Sequence, residues 1–115
     1  MNKVRKAIES LYIGICNIYE HKEVFDEQTK LSSKQEVITH ENIKCKLSYK
    51  NSPKSKDAEV TQIIRLLIAP EIEIRPGSKI VVTQSGKTTA FKNTGEPQMF
   101  INHQEIELEL FERWA

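Results

Sequence analysis

The sequence predicts a mainly β protein, a small β-barrel or sandwich of about six or seven antiparallel strands with a short N-terminal helix. Three observations carry that expectation. The run His103-Gln104-Glu105-Ile106-Glu107-Leu108-Glu109-Leu110 alternates strictly, with Ile106, Leu108 and Leu110 on one side and Glu105, Glu107 and Glu109 on the other. Period two of this kind describes a strand with one face in a core and one in water. Turn signals at Pro76-Gly77, Ser85-Gly86 and Gly95-Glu96-Pro97 then cut the C-terminal third into short segments. Clear helical spacing is confined to the first residues, where Val4, Ala7, Ile8 and Leu11 fall at i, i+3, i+4 and i+7.

Composition bounds the rest. With 115 residues the chain is expected to form a single domain, residues 1–115, able to bury one modest core. Hydrophobic residues make up 38% and charged residues 29%, which fits an ordered, water-soluble domain. Seventeen basic residues against sixteen acidic ones argue against a uniformly basic nucleic-acid binder but leave room for a local patch. Cys16 and Cys45 are far apart and make no C-x-x-C pair, so both are expected as reduced, buried apolar residues. The apolar run Leu11 to Cys16 is too short to span a bilayer and lacks a cleavage site, so no membrane or export segment is expected.

Taken in order, residues 1–10 form an amphipathic helix too short to stand alone. Its apolar stripe is expected to pack on the protein's own sheet, the alternative being a neighbouring subunit. Tyr12 to Val24 is β-branched and aromatic and reads as a long first strand, with Ile13 and Ile15 on one face and Cys16 and Ile18 on the other. Asp26 to Lys30, with Ser32-Ser33 beyond, reads as a loop. A second strand region follows in two parts, Gln35 to Thr39 and Ile43 to Tyr49. In the latter part Lys44, Lys46 and Lys50 share the outer face. Residues 50–57 are polar, carry Pro53 and three lysines, Lys50, Lys54 and Lys56, and read as a mobile surface loop. Such lysines ordinarily guard a strand edge; contact with a polyanion is the alternative. Ala58 to Ala69 fits a central strand, although Ile63, Leu66 and Leu67 also suit helical spacing. Pro76-Gly77 suits a type II turn, and residues 79–84 and 87–92 form a hairpin through Ser85-Gly86.

Little in the sequence suggests catalysis. Gly86-Lys87-Thr88 imitates the end of a phosphate-binding loop, but Val81 stands where the first glycine is required and a strand, not a helix, should follow. His21, His40 and His103 have no metal-ligand spacing. The three glutamates of the last strand share a solvated face, where no raised pKa is expected. The protein is expected not to be an enzyme and to need no cofactor or metal. Phe111 and Trp114 form an aromatic end that either covers the domain's own core or anchors a partner.

The turn Pro76-Gly77-Ser78, the strand Lys79-Ile80-Val81-Val82, Gly95-Glu96-Pro97, the closing segment Asn102 to Leu108 and the earlier Cys45-Lys46-Leu47-Ser48 together resemble the head–tail joining proteins of long-tailed bacteriophages and prophages, also called head-completion, stopper or minor capsid proteins. The resemblance runs from about Leu11 onward and departs from the pattern at Ser78, where an acidic residue is expected. It implies a structural virion component made in the bacterial cytoplasm and placed at the head–tail interface. Such a protein would form a ring, twelve-fold in the family, below the portal and its adaptor, close the capsid after DNA packaging and offer tail proteins a docking platform. The segment matching the family's channel loop is 50–57, so Lys50, Lys54 and Lys56 would meet packaged double-stranded DNA through sequence-independent phosphate contacts. Lys44 and Lys46 on one flank and Glu107 and Glu109 on the other, with Trp114, would then form subunit or partner interfaces. The competing expectation is a small OB-like nucleic-acid-binding module.

Overall fold

A computed structural model describes residues 3–53 and 60–114. One helix, α1 (Lys3–Glu9), precedes seven strands: β1 (Gly14–Asp26), β2 (Leu31–Pro53), β3 (Val60–Ile68), β4 (Lys79–Gln84), β5 (Lys87–Asn93), β6 (Gln98–Met99) and β7 (Gln104–Leu110). All strand pairings are antiparallel. The sheet order is β3-β2-β1-β4-β5-β7-β6, and β7 also pairs with β3, so six strands close into a ring. Closure satisfies the backbone groups that an open sheet would leave at its edges.

The ring interior is filled by alternate residues from each strand, as closure requires. Cys16, Ile18, Cys45, Leu66, Ile68, Ile80, Val82, Phe91 and Ile106 are buried there. The alternation expected in β7 holds for Ile106 and Leu108 but fails at Leu110, which is 61% exposed. The inward row instead begins one step earlier, at buried Gln104. Its amide Nε2 donates to the carbonyls of Ala69 and Ile72, at 2.8 and 2.5 Å, and so closes the connection that follows β3. A polar residue is tolerated inside because its donor group is satisfied.

Several local expectations are confirmed. Residues 60–68 are strand, the segment's Ile-rich character prevailing over its partial helical spacing. Ser85 and Gly86 both have positive φ, 54° and 77°, the geometry of a two-residue hairpin turn that glycine adopts without penalty. Gly77, at φ 84°, sits where the Pro76-Gly77 turn needs it. Ser78, the departure from the phage pattern, is buried: its Oγ donates to the carbonyl of Arg75 at 2.7 Å and closes that turn.

Others are corrected. The second strand is one element of 23 residues rather than two parts. It bends where the register with β1 shifts twice, between Cys16 and Ile18 and between Ile18 and Tyr19. Asn42 adopts φ 53° and donates its N–H to Asn17 Oδ1 at 2.8 Å, while Thr39 Oγ1 donates to the carbonyl of Ile18. These side chains occupy the backbone groups freed at the bulges. Ser32 and Ser33 belong to β2, not to a loop, because the turn after β1 closes by Lys30 at φ 60°. Asp26 Oδ1 accepts the N–H of Gln28 in the same turn. Lys50 to Pro53 are also strand, paired with Ile63 to Val60, so the expected loop over 50–57 is shorter at its start. Its remainder, including Lys54 and Lys56, lies outside the described residues. Two-residue β6, pairing with β7, was not foreseen.

The molecule is more extended than its length requires. Its radius of gyration is 16.5 Å, against about 13 Å for a compact chain of this size. The reason is the outer half of the β1–β2 hairpin. Pairing of β1 with β4 ends at Tyr19–Lys79, and pairing of β2 with β3 begins at Cys45–Ile68, yet β1 and β2 stay paired out to Asp26–Leu31. Residues 20–37 therefore project as a two-stranded arm.

Candidate interaction surfaces

Strand register decides what the lysines and glutamates face. The inward rows across β2, β3 and β7 are Cys45, Ile68 and Gln104, then Leu47, Leu66 and Ile106. The intervening outward rows are Lys46, Leu67 and Glu105, then Ser48, Arg65 and Glu107. Lys44 continues the outward face opposite Ile15 of β1. The basic strand and the acidic strand thus lie on one face of one sheet with β3 between them, not on opposite flanks as expected. The expectation failed because it lacked the strand order: β7 returns beside β3 to close the ring.

The separation is two strand spacings, about 10 Å, close to the Debye length at 0.1 M salt. The two rows therefore partly neutralise each other's field. Arg65 reinforces this from the middle strand, with Nη1 3.4 Å from Glu105 Oε1, and His103 Nε2 lies 3.0 Å from Glu105 Oε2. On the other side Glu109 pairs with Lys92 at 3.0 Å. These are half-exposed pairs that set local charge more than stability. Lys50 extends along β2 away from the acidic row's start and faces Ile63. Tyr49 is 52% exposed but belongs to the inward-facing parity of β2, opposite to Lys46 and Lys50.

Trp114 is half-buried against the protein itself. Its ring stacks on His21 at 4.9 Å and 15° and meets Phe111 edge-on at 5.1 Å. Lys79 Nζ sits 5.0 Å above Phe111 and 5.6 Å above Tyr19, and pairs with Glu36 of β2 at 2.9 Å. The aromatic end therefore clamps the root of the projecting arm, a variant of the intramolecular reading in which it covers the arm and not the core. A cavity of about 350 Å³ opens beside it, lined by Glu20, His21, Lys22, Lys34 and the Arg75 to Ser78 turn.

Two apolar surfaces were missed by the sequence reading. The first is the arm and its root, where Phe25, 56% exposed, and Ile38, 42% exposed, lie on one face and Leu31, 68% exposed, on the other. The second lies at the end of the ring covered by α1. No residue of α1 is buried, and Val4 and Leu11 are more than half exposed, so the stripe expected to pack on the sheet does so only through Ile8. Arg5 ties the helix to the body through Glu71 and also pairs with Glu9 one turn on within the helix. Ile8 lines a groove of about 570 Å³ with Met99, Phe100, Ile101, Asn102 and His103. Phe100 and His103 stack at 4.5 Å, and the Phe100 N–H donates to the carbonyl of His103, which fixes this turn with Ile101 91% exposed at its tip. The signal was present as three consecutive apolar residues, Met99-Phe100-Ile101, between turn-forming neighbours.

Among the described residues no group of three His, Cys, Asp or Glu side chains could hold a metal ion, and no helix is long and apolar enough to cross a membrane. His21, His40 and His103 lie at the arm root, the β2 bulge and the β6–β7 turn. Cys16 and Cys45 are both free thiols in the core. A hydrogen bond with Cys45 and burial push the Cys16 thiol far above its ordinary range, which suits an inert packing residue.

The sequence matches no protein-family model and no curated protein. The fold is similar to that of the xkdH protein of the phage-like element PBSX of Bacillus subtilis. The TM-score is 0.53 at 11% identity, and the alignment covers 84% of this chain and 91% of that one.

Proposed function

We propose that this protein is a non-enzymatic structural component of a phage or prophage particle that joins head to tail. The observation that carries the reading is the fold shared with a protein of a phage-like element over nearly the whole of both chains. It agrees with the independent resemblance of the Pro76 to Leu108 pattern and Cys45 to Ser48 to head–tail joining proteins. In this role copies assemble as a ring, twelve-fold in the family, between the portal with its adaptor and the tail proteins. The ring closes the capsid after packaging. The β2–β3 hairpin, carrying Lys50 on β2, meets double-stranded DNA without base specificity. The half-neutralised face of Lys44, Lys46, Glu105 and Glu107 suits protein partners better than a polyanion, since phosphates there would lie within a Debye length of carboxylates.

A single-strand-binding module is less well supported. Such sites stack bases on aromatics beside a basic groove, whereas Tyr49 projects from the opposite face of β2 to Lys46 and Lys50.

The test is cryo-electron microscopy of particles from the source phage or induced prophage carrying a tagged copy. A ring of this protein between portal and tail is the expected result. Particles that assemble without it would overturn the joining role. Salt-dependent binding of short oligonucleotides by the isolated chain would then favour the OB-like module.

A further inference from the structure

We infer that the C-terminal tail, Phe111 to Trp114, is a releasable strap that fixes the angle of the β1–β2 arm, and that the arm pivots at its root when Trp114 leaves His21. Little else holds the arm. None of residues 19–44 is buried. β1 leaves β4 after Tyr19, and β2 has no β3 partner before Cys45. Beyond the root the arm is a two-stranded ribbon, a form that is marginal in water by itself. Among the described residues, one ring stack and one ion pair reach it from the body: Trp114 on His21 at 4.9 Å, and Lys79 Nζ to Glu36 Oε1 at 2.9 Å. Both trace back to the tail. The Phe111 N–H donates to the Ala90 carbonyl at 3.0 Å, which anchors the tail on β5. From there Trp114 crosses to the arm, while the Phe111 ring lies 5.0 Å from Lys79 Nζ and steadies the ammonium that pairs with Glu36. Contacts of these two kinds each shift an equilibrium by about tenfold or less, so the strap opens and recloses without unfolding the ring.

The root is built to bend. β1 shifts register twice between Cys16 and Tyr19, and across from it Asn42 of β2 takes φ 53°. Bulges interrupt the ladder and let a ribbon change direction through a few backbone dihedrals. The arm also has room to move. Glu20, Lys22 and Lys34 face the Arg75 to Ser78 turn across the cavity of about 350 Å³, with Trp114 in its wall. Asp26 lies seven residues beyond Tyr19, about 23 Å out, so a pivot of about 20° carries the tip about 8 Å. Docking of one tryptophan at the root is thereby converted into a large displacement at the tip.

Double electron–electron resonance on the full-length chain reads the arm's angle, with spin labels at Gln28→Cys on the tip and Lys87→Cys at the start of β5. Cys16 and Cys45 are buried in the core and stay unlabelled. One narrow distance is expected with Trp114 in place. Trp114→Ala, and His21→Ala from the other side of the stack, should each raise the displaced population about tenfold and spread the distance by about 8 Å. His21→Ala touches no core residue of the ring, so it keeps the test standing if loss of Trp114 disturbs the fold. Trp114→Phe keeps a ring for His21 and should restore the narrow distance. A second pair, Gln28→Cys with Glu41→Cys, lies within the arm and should read the same distance in every variant, because the arm moves as one piece. Unchanged tip distances in both alanine variants would overturn the strap. A broad distance with Trp114 present would overturn it too, since the arm would then be free in spite of the tail. Spreading of the pair within the arm would overturn the pivot by showing that the arm frays instead.

Discussion

Gly14 is expected to be irreplaceable because of a single glutamine. β1 begins at Gly14, opposite Cys45, so Leu47 lies beyond the end of its neighbouring strand. The Gln84 side chain takes the missing strand's place: its Oε1 accepts the Leu47 N–H at 2.8 Å and its Nε2 donates to the Leu47 carbonyl at 3.3 Å. The amide reaches Leu47 by passing close over Gly14. A Cβ at residue 14 would stand 2.9 Å from Gln84 Oε1 and 3.2 Å from the carbonyl oxygen of Cys45. Gly14→Ala must therefore push the amide away and leave both Leu47 groups without partners, a cost of about 1–3 kcal/mol. Lower chain entropy of alanine in the unfolded state offsets about 0.5–1 kcal/mol of that. Gln84→Ala should cost about as much as the lost pair of bonds, 1–3 kcal/mol. In the Gln84→Ala background the amide is gone and only the Cys45 carbonyl, at 3.2 Å, still crowds residue 14, so Gly14→Ala should cost about 1 kcal/mol less there than in the wild-type protein. Urea unfolding of the four proteins, followed by far-UV circular dichroism at constant m, measures the cycle. A coupling of about 1–2 kcal/mol is expected, or about 4–8 °C in Tm. If the two substitutions add to within 0.5 kcal/mol, the glutamine is not what excludes a side chain at residue 14.

Phe91 and Ile106 are almost fully buried in the ring interior. Phe91→Ala or Ile106→Ala should destabilise by about 2–5 kcal/mol in the same unfolding assay, and a loss below 1 kcal/mol would mean the interior is not close-packed. The raised Cys16 pKa makes stability fully present below the unfolded thiol's pKa, about 8.5, and progressively lost above it, where only the unfolded chain releases the proton. Unfolding at pH 7.5 and 9.5 should therefore show lower stability at the higher pH, with the difference reduced in Cys16→Ala. Native protein at pH 8 should also leave a thiol reagent unreacted until denaturant is added. Trp114→Ala removes two aromatic contacts at the arm root and should cost about 1–2 kcal/mol at most. Hydrogen exchange should show the amides of residues 19–22 losing protection while those of β5 and β7 keep theirs. Equal losses throughout would mean that Trp114 supports the ring and not the arm.

The sequence by itself determined whatever depends on neighbours along the chain. Alternation in residues 104–110, the Ser85-Gly86 turn and the Pro76-Gly77 turn are local properties, and each reads out through backbone sterics or the two-residue period of a strand. The expected resemblance to head–tail joining proteins rested on the same kind of signal, an order of turns and strands. Tertiary structure alone decided which strands became neighbours. Returning β7 beside β3 put Glu105 and Glu107 on the same face as Lys46, a relation between residues some sixty positions apart that no local spacing encodes. It also decided where strands outrun their partners. β1 turns polar beyond Tyr19, with Glu20, His21, Lys22 and Glu23 before Val24 and Phe25, yet it stays paired with β2; only the inner half finds β4 and β3 to pair with. The outer half is left as an arm, and Phe25 and Leu31 are left in water, because burial belongs to the assembled sheet and not to the residue.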